Sequence, residues 1–542
     1  MRKLLNWKLF FLLILIPFLF PLFHHGIFIS HDGQTQIIRI ASYFSAVSSG
    51  IFPVRWASEL NYGYGNPLFI FIYPLPYYLG IIIHALGINF QDTYKILLAS
   101  SFLLSFYFFY LWISENYSKK VAVAAAFIYV LMPHHFLDFY VRGALGDMIG
   151  FALIPLCFYS VEKIIKKSQI FIIIGGISYG LLILSHNGLS LMFTPVLLAY
   201  VFLRLWDKKT ILFKSLLIFL IGLIISCFFW LPAMFESIYM AKIPLFEYMY
   251  KHNFSSLSSI FYSPWGFGVD INKSGGLSPQ IGIINLLLLL FSVFIFKKLK
   301  NIDKKIVILW FLVFFVSVFL SISQSTFLYE HLGFLRKFQF PWRFLILAGF
   351  ACASISPIVL SKLKTKQLTI LLIVLLLYSV QFITVKGYIN HPDSYYSSFN
   401  GLGFDHGEGV TRWTSADIST PAKSKFELIG GKAEITDISI KPLEHKFKVD
   451  AKSRIQVLDN TIYFPGWRVT IDGKKTPIEF QDMNHRGLIT FYAPEGKHNI
   501  LVSFQESRIR LLSDLISLFF SISILIIMIY NLIVKRVKTN EK

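Results

Sequence analysis

The 542-residue chain is 55% hydrophobic and only 15% charged, with 56 Phe and 27 Tyr, a balance that a single water-soluble core of this length could not bury. Its formal charge of +21 could suggest nucleic acid, but the basic residues sit in connectors between apolar runs, which excludes nucleic acid as a partner and leaves a multispan α-helical membrane protein. Cys157, Cys227 and Cys352 all lie in apolar segments, so no disulfide framework is available and the redox compartment is not encoded in them.

The opening MRKLLNWKLFFLLILIPFLFPLFHHG has the basic start of a signal peptide, yet its apolar run is long enough to span and no small-residue cleavage site follows. An uncleaved first helix over 9–29 is expected. The chain then turns abruptly polar at His31, Asp32, Gln34, Arg39 and Arg55. After Asp32, the residues Ile37, Ile40, Tyr43, Phe44 and Val47 recur at helical spacing while Gln34, Arg39, Ser42 and Ser45 face elsewhere, the pattern of an amphipathic helix lying along a membrane surface.

Residues 66–87 form an apolar run long enough to cross, but Pro67, Pro74 and Pro76 interrupt it. Prolines remove backbone donors that a lipid-exposed helix needs, so a re-entrant or interfacial segment is expected here. Beyond it, about twelve spans in all follow from apolar runs near 9–29, 93–113, 121–137, 148–161, 170–187, 188–203, 210–231, 279–296, 306–322, 342–360, 367–386 and 510–533.

With 66–87 left out of the count, the connectors SENYSKK, EKIIKKSQ, RLWDKK, KKLKNIDKK and SKLKTK and both termini fall on one side. They hold 23 Lys and Arg against five acids, which marks that side as the cytoplasm. The long segments 30–92, 138–147, 232–278 and 387–509 are then outside. From about 425 the last of these alternates apolar and polar residues, with turn signals at Gly430-Gly431, Asp459-Asn460, Asp472-Gly473 and Glu495-Gly496. About eight antiparallel strands of a small extracytoplasmic β-sandwich are expected, with Trp467 as a packed anchor.

His24, His25, His31, His134, His135 and His186 all fall near the outer surface, but no two stand at the one-turn spacing of helical metal ligands, so neither a metal nor a cofactor is expected. GYGNP and GGLSPQIG are glycine-containing turns without the strand–loop–helix context of a nucleotide cradle.

A spanning helix that ends in an acid and is followed by an outer juxtamembrane helix resembles the membrane glycosyltransferases of the GT-C superfamily. The strings YVRGALGDMIGFALIPLCFY (140–159), LSHNGLSLMFTPVLL (184–198) and FQFPWRFLILAG (338–349) resemble the motifs of the 6-pyruvoyl-tetrahydropterin synthase-related membrane domain family. IYFPGWRVTIDGKKTPI and APEGKHNILVSF resemble the end of the YfhO-like bacterial membrane proteins, which are linked to glycosylation of cell-envelope polymers. Nothing in the chain resembles a soluble pterin synthase, and family members often carry Glu where this chain has Asp147.

These resemblances imply a GT-C-like transmembrane domain over 1–386, the β-sandwich over 387–509, and a final transmembrane helix with a basic tail over 510–542. They imply transfer of a sugar from a polyprenyl-phosphate donor to a glycan, polymer or protein acceptor at the outer face of the cell membrane. Such a reaction needs a carboxylate for the acceptor and cations for the phosphate. Asp32 and Asp147 are the candidate catalytic acids. His31, Arg39, Arg142, His186, Arg336 and Arg343 are the candidate substrate-binding residues, with Asp147 also able to orient Arg142. The alternatives are a non-catalytic envelope scaffold on the same fold and a transporter of lipid-linked sugars; a transporter would carry ionisable residues at the membrane midplane and two related halves, and this sequence shows neither.

Overall fold

The computed structural model of the chain describes residues 13–241, 248–402, 410–415 and 418–540, with the side chains of 301–302 and 532–540 left out of the description. It divides into two compact units, one taking in the described residues of Met1–Gln36, Ile83–Ser226 and Pro244–His391, the other those of Ile37–Ile82, Cys227–Ile243 and Pro392–Lys542.

The first unit is helical. Among the described residues of the chain, seven helices are long and apolar enough to cross a membrane, or up to nine if each of two bent helix pairs counts as one span. This makes a multi-pass membrane protein, with fewer long spans than the twelve apolar runs suggest. The runs near 170–187 and 279–296 do form helices, Ile170–Ser185 and Ile283–Phe296, but short ones. The run at 121–137 breaks instead at Pro133 into Lys119–Val130 and Pro133–Arg142, bent by 49°, because a proline ring cannot continue the preceding hydrogen-bond ladder. The expected first helix is described only as Leu13–Phe23, largely a tight 3-10 helix with Pro17 in its first turn and Pro21 inside; residues 9–12 lie outside the described part.

Local chemistry starts and packs these helices. Asn89 caps Phe90–Ser114 by accepting the Asp92 amide at 2.7 Å, one of the four donors that a helix start leaves unpaired. Gly176 lets Ile170–Ser185 approach Lys209–Ile225 so closely that an added Cβ would stand 2.4 Å from Ile221, the small-residue contact that lets helices associate in lipid. The centre of the unit is aromatic: Trp112 stacks on Phe350 at 5.7 Å and meets Trp310 edge-on at 6.1 Å. A two-residue ladder pairs β1 (Ile27–Phe28) with β2 (Tyr388–Ile389).

The second unit holds the β domain. Eight antiparallel strands form two sheets: β4 (Ala433–Lys441), β5 (Glu444–Ala451), β10 (Gly496–Phe504), β7 (Trp467–Ile471) and β8 (Lys474–Thr476) in one, and β3 (Phe426–Gly430), β6 (Ile455–Ile462) and β9 (Leu488–Ala493) in the other. Side chains of both sheets share one hydrophobic core with Trp56, Tyr64 and Ile70. Trp467 is 4% exposed, edge-on to Trp56 at 5.4 Å, a packed anchor rather than a surface platform.

Asp472-Gly473 and Glu495-Gly496 turn as expected, between β7 and β8 and between β9 and β10. Asp459-Asn460 does not. It lies inside β6 at a register shift, with Asp459 fully buried and its oxygens 2.6 Å from both His445 Nδ1 and Thr461 Oγ1. Polar residues read as a turn here fill a bulge whose carboxylate is satisfied internally. Burial alone would raise that carboxyl, but the His445 ring and the Lys425 ammonium beside it hold it below its ordinary value.

The same unit contains the last long helix, Arg508–Asn540, packed on Cys227–Glu236. Arg510, fully buried, donates to Glu236 at 3.1 Å and to the Pro465 carbonyl at 2.5 Å, while Arg55 donates to Asp514 at 2.5 Å and to the Phe228 carbonyl at 2.8 Å. The β domain is thereby tied to its two helices through charge-assisted bonds.

The segment after Asp32 differs from its expected form. Gly33–Ser48 is a helix, yet Arg39 and Ser42 are buried together with Ile37, Ile40 and Tyr43, so it is enclosed on both faces instead of lying on a surface. Tyr43 packs on Phe69 and Tyr77, and Gly80 abuts Ile40. Residues 66–87 form two short helices, Leu68–Phe71 and Leu75–His84, neither long enough to cross at ~1.5 Å per residue.

Candidate active site

The site is built where the broken helix pair ends. Residues 137–142 wind as a π-turn, a wide turn often found at functional positions, and Gly143 follows at φ 66°. Glycine is required there: besides the left-handed backbone, a Cβ would stand 2.5 Å from Ser30 Oγ and 2.6 Å from the Tyr94 hydroxyl. Tyr94 donates to the Gly143 carbonyl at 2.9 Å. The amides of His31 and Asp32 donate to the carbonyls of Val141 and Arg142 at 3.0 and 2.8 Å, which sets Asp32 beside Arg142 even though 110 residues separate them in sequence.

Arg142 is the centre. Its Nη1 donates to Asp138 at 2.5 Å and to Asp147 at 2.9 Å, and its Nη2 stands 4.0 Å from Asp32. Its guanidinium lies over the Trp342 ring at 5.2 Å, a cation–π contact. Asp138 and Asp147 are buried, while the Asp32 side chain is 42% exposed. The cluster therefore has closed acids beneath and an open one above.

His186 comes from the junction of helices Ile170–Ser185 and Asn187–Leu205. Its Nδ1 accepts the Leu189 amide at 3.0 Å, which leaves the proton on Nε2, 3.4 Å from Asp147. That capping bond fixes the tautomer and makes His186 a donor to Asp147. Arg343, next to Trp342, donates to the Phe338 carbonyl at 3.2 Å and to Gln339 Oε1 at 3.3 Å, and stacks on Phe340 at 4.9 Å. It makes no ion pair within 4 Å among the described residues, although it lies in the field of Arg142, Asp147, Asp138 and Asp32.

Several polar atoms here have no hydrogen-bond partner among the described residues. They are Asp138 Oδ2, both ring nitrogens of His134, Trp342 Nε1 and Arg343 Nε, all buried; His134 Nε2 is 3.7 Å from Asp138. Unpaired buried polar atoms are costly and rare in finished packing.

The structure thus gathers Asp32, Arg142, Asp147, His186 and Arg343. It uses the other expected residues differently: His31 contacts the Phe267 carbonyl at 3.0 Å, Arg336 closes a turn on the carbonyls of Tyr329 and Glu330 at 2.7 Å each, and Arg39, in the second unit, reaches the Tyr77 hydroxyl at 3.5 Å. Asp138 is the acid that sequence reading passed over. Its signal was present in LDFYVR, an acid four residues before an arginine, but only the π-turn makes it face the centre. Among the described residues no group of three or more His, Cys, Asp or Glu is placed to hold a metal ion.

Residues 69–388 match the family described as the 6-pyruvoyl-tetrahydropterin synthase related domain, a membrane protein. The chain belongs to that family. The matched part of this 6-pyruvoyl-tetrahydropterin synthase-related protein carries Asp138, Arg142, Asp147, His186 and Arg343, and Asp32 precedes it. No curated protein matches the chain. Among solved structures it is similar to Archaeoglobus fulgidus oligosaccharyltransferase AglB in complex with an inhibitory peptide and a dolichol-phosphate, at 14% identity and a TM-score of 0.45, covering 74% of this chain and 56% of that one. It is also similar to that organism's enzyme tethered with an acceptor peptide containing the NVT sequon, at 14% identity and a TM-score of 0.41 with the same coverage, and in complex with Zn and sulfate, at 18% identity and a TM-score of 0.36, covering 73% of this chain and 54% of that one. The chain spans little more than half the length of these enzymes, and nothing below rests on the likeness.

Proposed function

We propose that the protein is a membrane glycosyltransferase of GT-C type, moving a sugar from a polyprenyl-phosphate donor to a cell-envelope acceptor on the outer face of the membrane. The observation that carries this reading is one open carboxylate, Asp32, beside an arginine cluster in which Arg343 has no ion-pair partner among the described residues. A carboxylate that can take a proton, next to a cation that can take a phosphate, is the pair that glycosyl transfer from a lipid phosphate requires.

In this reading the acceptor hydroxyl gives its proton to Asp32 as its oxygen bonds to the anomeric carbon. The bond from that carbon to the phosphate oxygen breaks, and the lipid phosphate leaves with the electron pair. Arg343 receives the leaving charge. Arg142, with Nη1 taken by Asp138 and Asp147, chiefly orients Asp32 through Nη2; Asp147 and His186 hold Arg142 in place as positioning residues. The one-sided basic connectors put this face outside, and the terminal strings resembling YfhO-like proteins favour an envelope polymer as acceptor.

The test is to supply the purified protein with labelled polyprenyl-phosphate sugars and membrane fractions as acceptors, and to measure release of lipid phosphate together with labelled product. Consumption of one donor is expected. If no donor is consumed with any acceptor fraction while phosphoryl lipids still bind, the non-catalytic scaffold replaces this reading.

A further inference from the structure

The second unit contains a pocket of about 340 Å³ between the β domain and the loop after Arg55, at the small end of the range for ligand sites. Trp56, Ser58, Glu59, Tyr64, Lys441 and His445 help to line it. We propose that this pocket binds one sugar unit of an envelope glycan, with Glu59 and His445 taking its hydroxyls and the Trp56–Tyr64 wall taking its C–H face. The choice of a glycan as its source rests on the glycosyltransferase reading; the pocket's own chemistry does not.

A sugar ring presents hydroxyls that both donate and accept, and an apolar face. Glu59 is held by Ser42 Oγ at 3.3 Å and Ser45 Oγ at 2.9 Å, one donor to each carboxylate oxygen, so each keeps a lone pair to receive a hydroxyl. The side chain of His445 is 4% exposed and its Nδ1 is 2.6 Å from Asp459. Asp459 also accepts from Thr461 and stands 3.8 Å from Lys425, an environment that keeps it ionised and puts the histidine proton on Nδ1. Nε2 is then the outer ring nitrogen, and it has no hydrogen-bond partner among the described residues. It belongs to an oriented, nearly buried ring at the pocket wall, and a sugar hydroxyl, which both donates and accepts, can meet it.

The same geometry argues against an anion as ligand. Lys425 spends its donors on the carbonyls of Gly63 and Asn460, at 2.9 and 3.0 Å, and on its approach to Asp459. Glu59 would repel a phosphate, and of the two lysines that line the pocket Lys441 is the one left to attract it. The volume admits a single ring with its substituents, not a polymer segment or an acyl chain.

The experiment uses the full chain in detergent and saturation-transfer NMR with methyl β-glucopyranoside, methyl α-mannopyranoside and N-acetylglucosamine as probes. At least one probe should bind saturably. Glu59→Gln, which keeps shape and loses charge, should weaken it by about tenfold, as expected for loss of a charge-assisted hydrogen bond, and Ser58→Trp should fill the pocket and abolish it. Asp32→Asn should bind the probe as wild type does. The proposal is overturned if no probe binds, or if binding survives both pocket changes in proteins with unaltered melting. Probe binding without sugar transfer would remove the glycosyltransferase reading and leave the pocket; transfer without probe binding would do the reverse.

Discussion

Helix Leu145–Ile165 carries a buried acid near each end, and the two are treated in opposite ways. Glu162 accepts from Asn116 at 2.9 Å, from the Tyr200 hydroxyl, and from Arg204 at 2.9 and 2.6 Å. It is fully buried and its acceptor capacity is filled. Asp147, roughly 22 Å away along the axis at ~1.5 Å per residue, joins a cluster in which Asp32 stays open and buried atoms of Asp138, His134, Trp342 and Arg343 lack hydrogen-bond partners among the described residues. A saturated ion pair holds helices together. An unsaturated one, in the reading proposed above, is left open for a substrate.

The comparison is broken most forcefully by removing Arg204. Arg204→Ala leaves Glu162 buried without its cation, and stability against unfolding should fall by about 3–5 kcal/mol, while transfer per folded molecule stays unchanged. Lost transfer at full stability would make the Glu162 end functional and erase the contrast.

A smaller effect is expected at the open end. Arg343→Ala should weaken binding of a polyprenyl-phosphate sugar by about tenfold or more, the loss of a charge-assisted contact worth roughly 1.5–3 kcal/mol, with melting close to wild type because no ion pair is broken. Wild-type donor affinity would remove Arg343 from the phosphate site.

The β domain sharpens the same contrast through pH. The carboxyl of Asp459 lies below its ordinary value in the folded protein, so its contribution to stability is present above about pH 4, the unfolded value, and is lost as pH falls through the folded one. Unfolding of Asp459→Asn should therefore depend less on pH on the acid side than that of wild type. An unchanged acid limb would mean that the His445–Asp459–Lys425 cluster is not what holds that carboxylate charged.

How much of this was legible in the sequence depends on whether the signal is local. Helices such as Leu145–Ile165 and the turn at Asp472-Gly473 follow from apolar runs and from a dipeptide with a fixed backbone preference, and Asp32, Arg142 and Arg343 stood out as charges flanking greasy segments. Asp138 did not, because its role depends on a π-turn and on Gly143, whose need for glycine is set by Ser30 and Tyr94 from elsewhere in the chain. Asp459-Asn460 read as a turn because the polarity of the pair is local information, whereas the His445 and Lys425 that satisfy it are not. Arg336 carried a plausible charge at a plausible place, and two carbonyls of its own turn claimed it.

In the proposed mechanism Asp32 does the chemistry and the buried acids only support it. Its most direct measurement is single-turnover transfer by Asp32→Asn with labelled polyprenyl-phosphate sugar bound at saturation. An amide keeps the shape but cannot take the acceptor's proton, so the account predicts donor affinity and melting near wild type with transfer abolished. A folded Asp32→Asn protein that transfers sugar at the wild-type rate would contradict it.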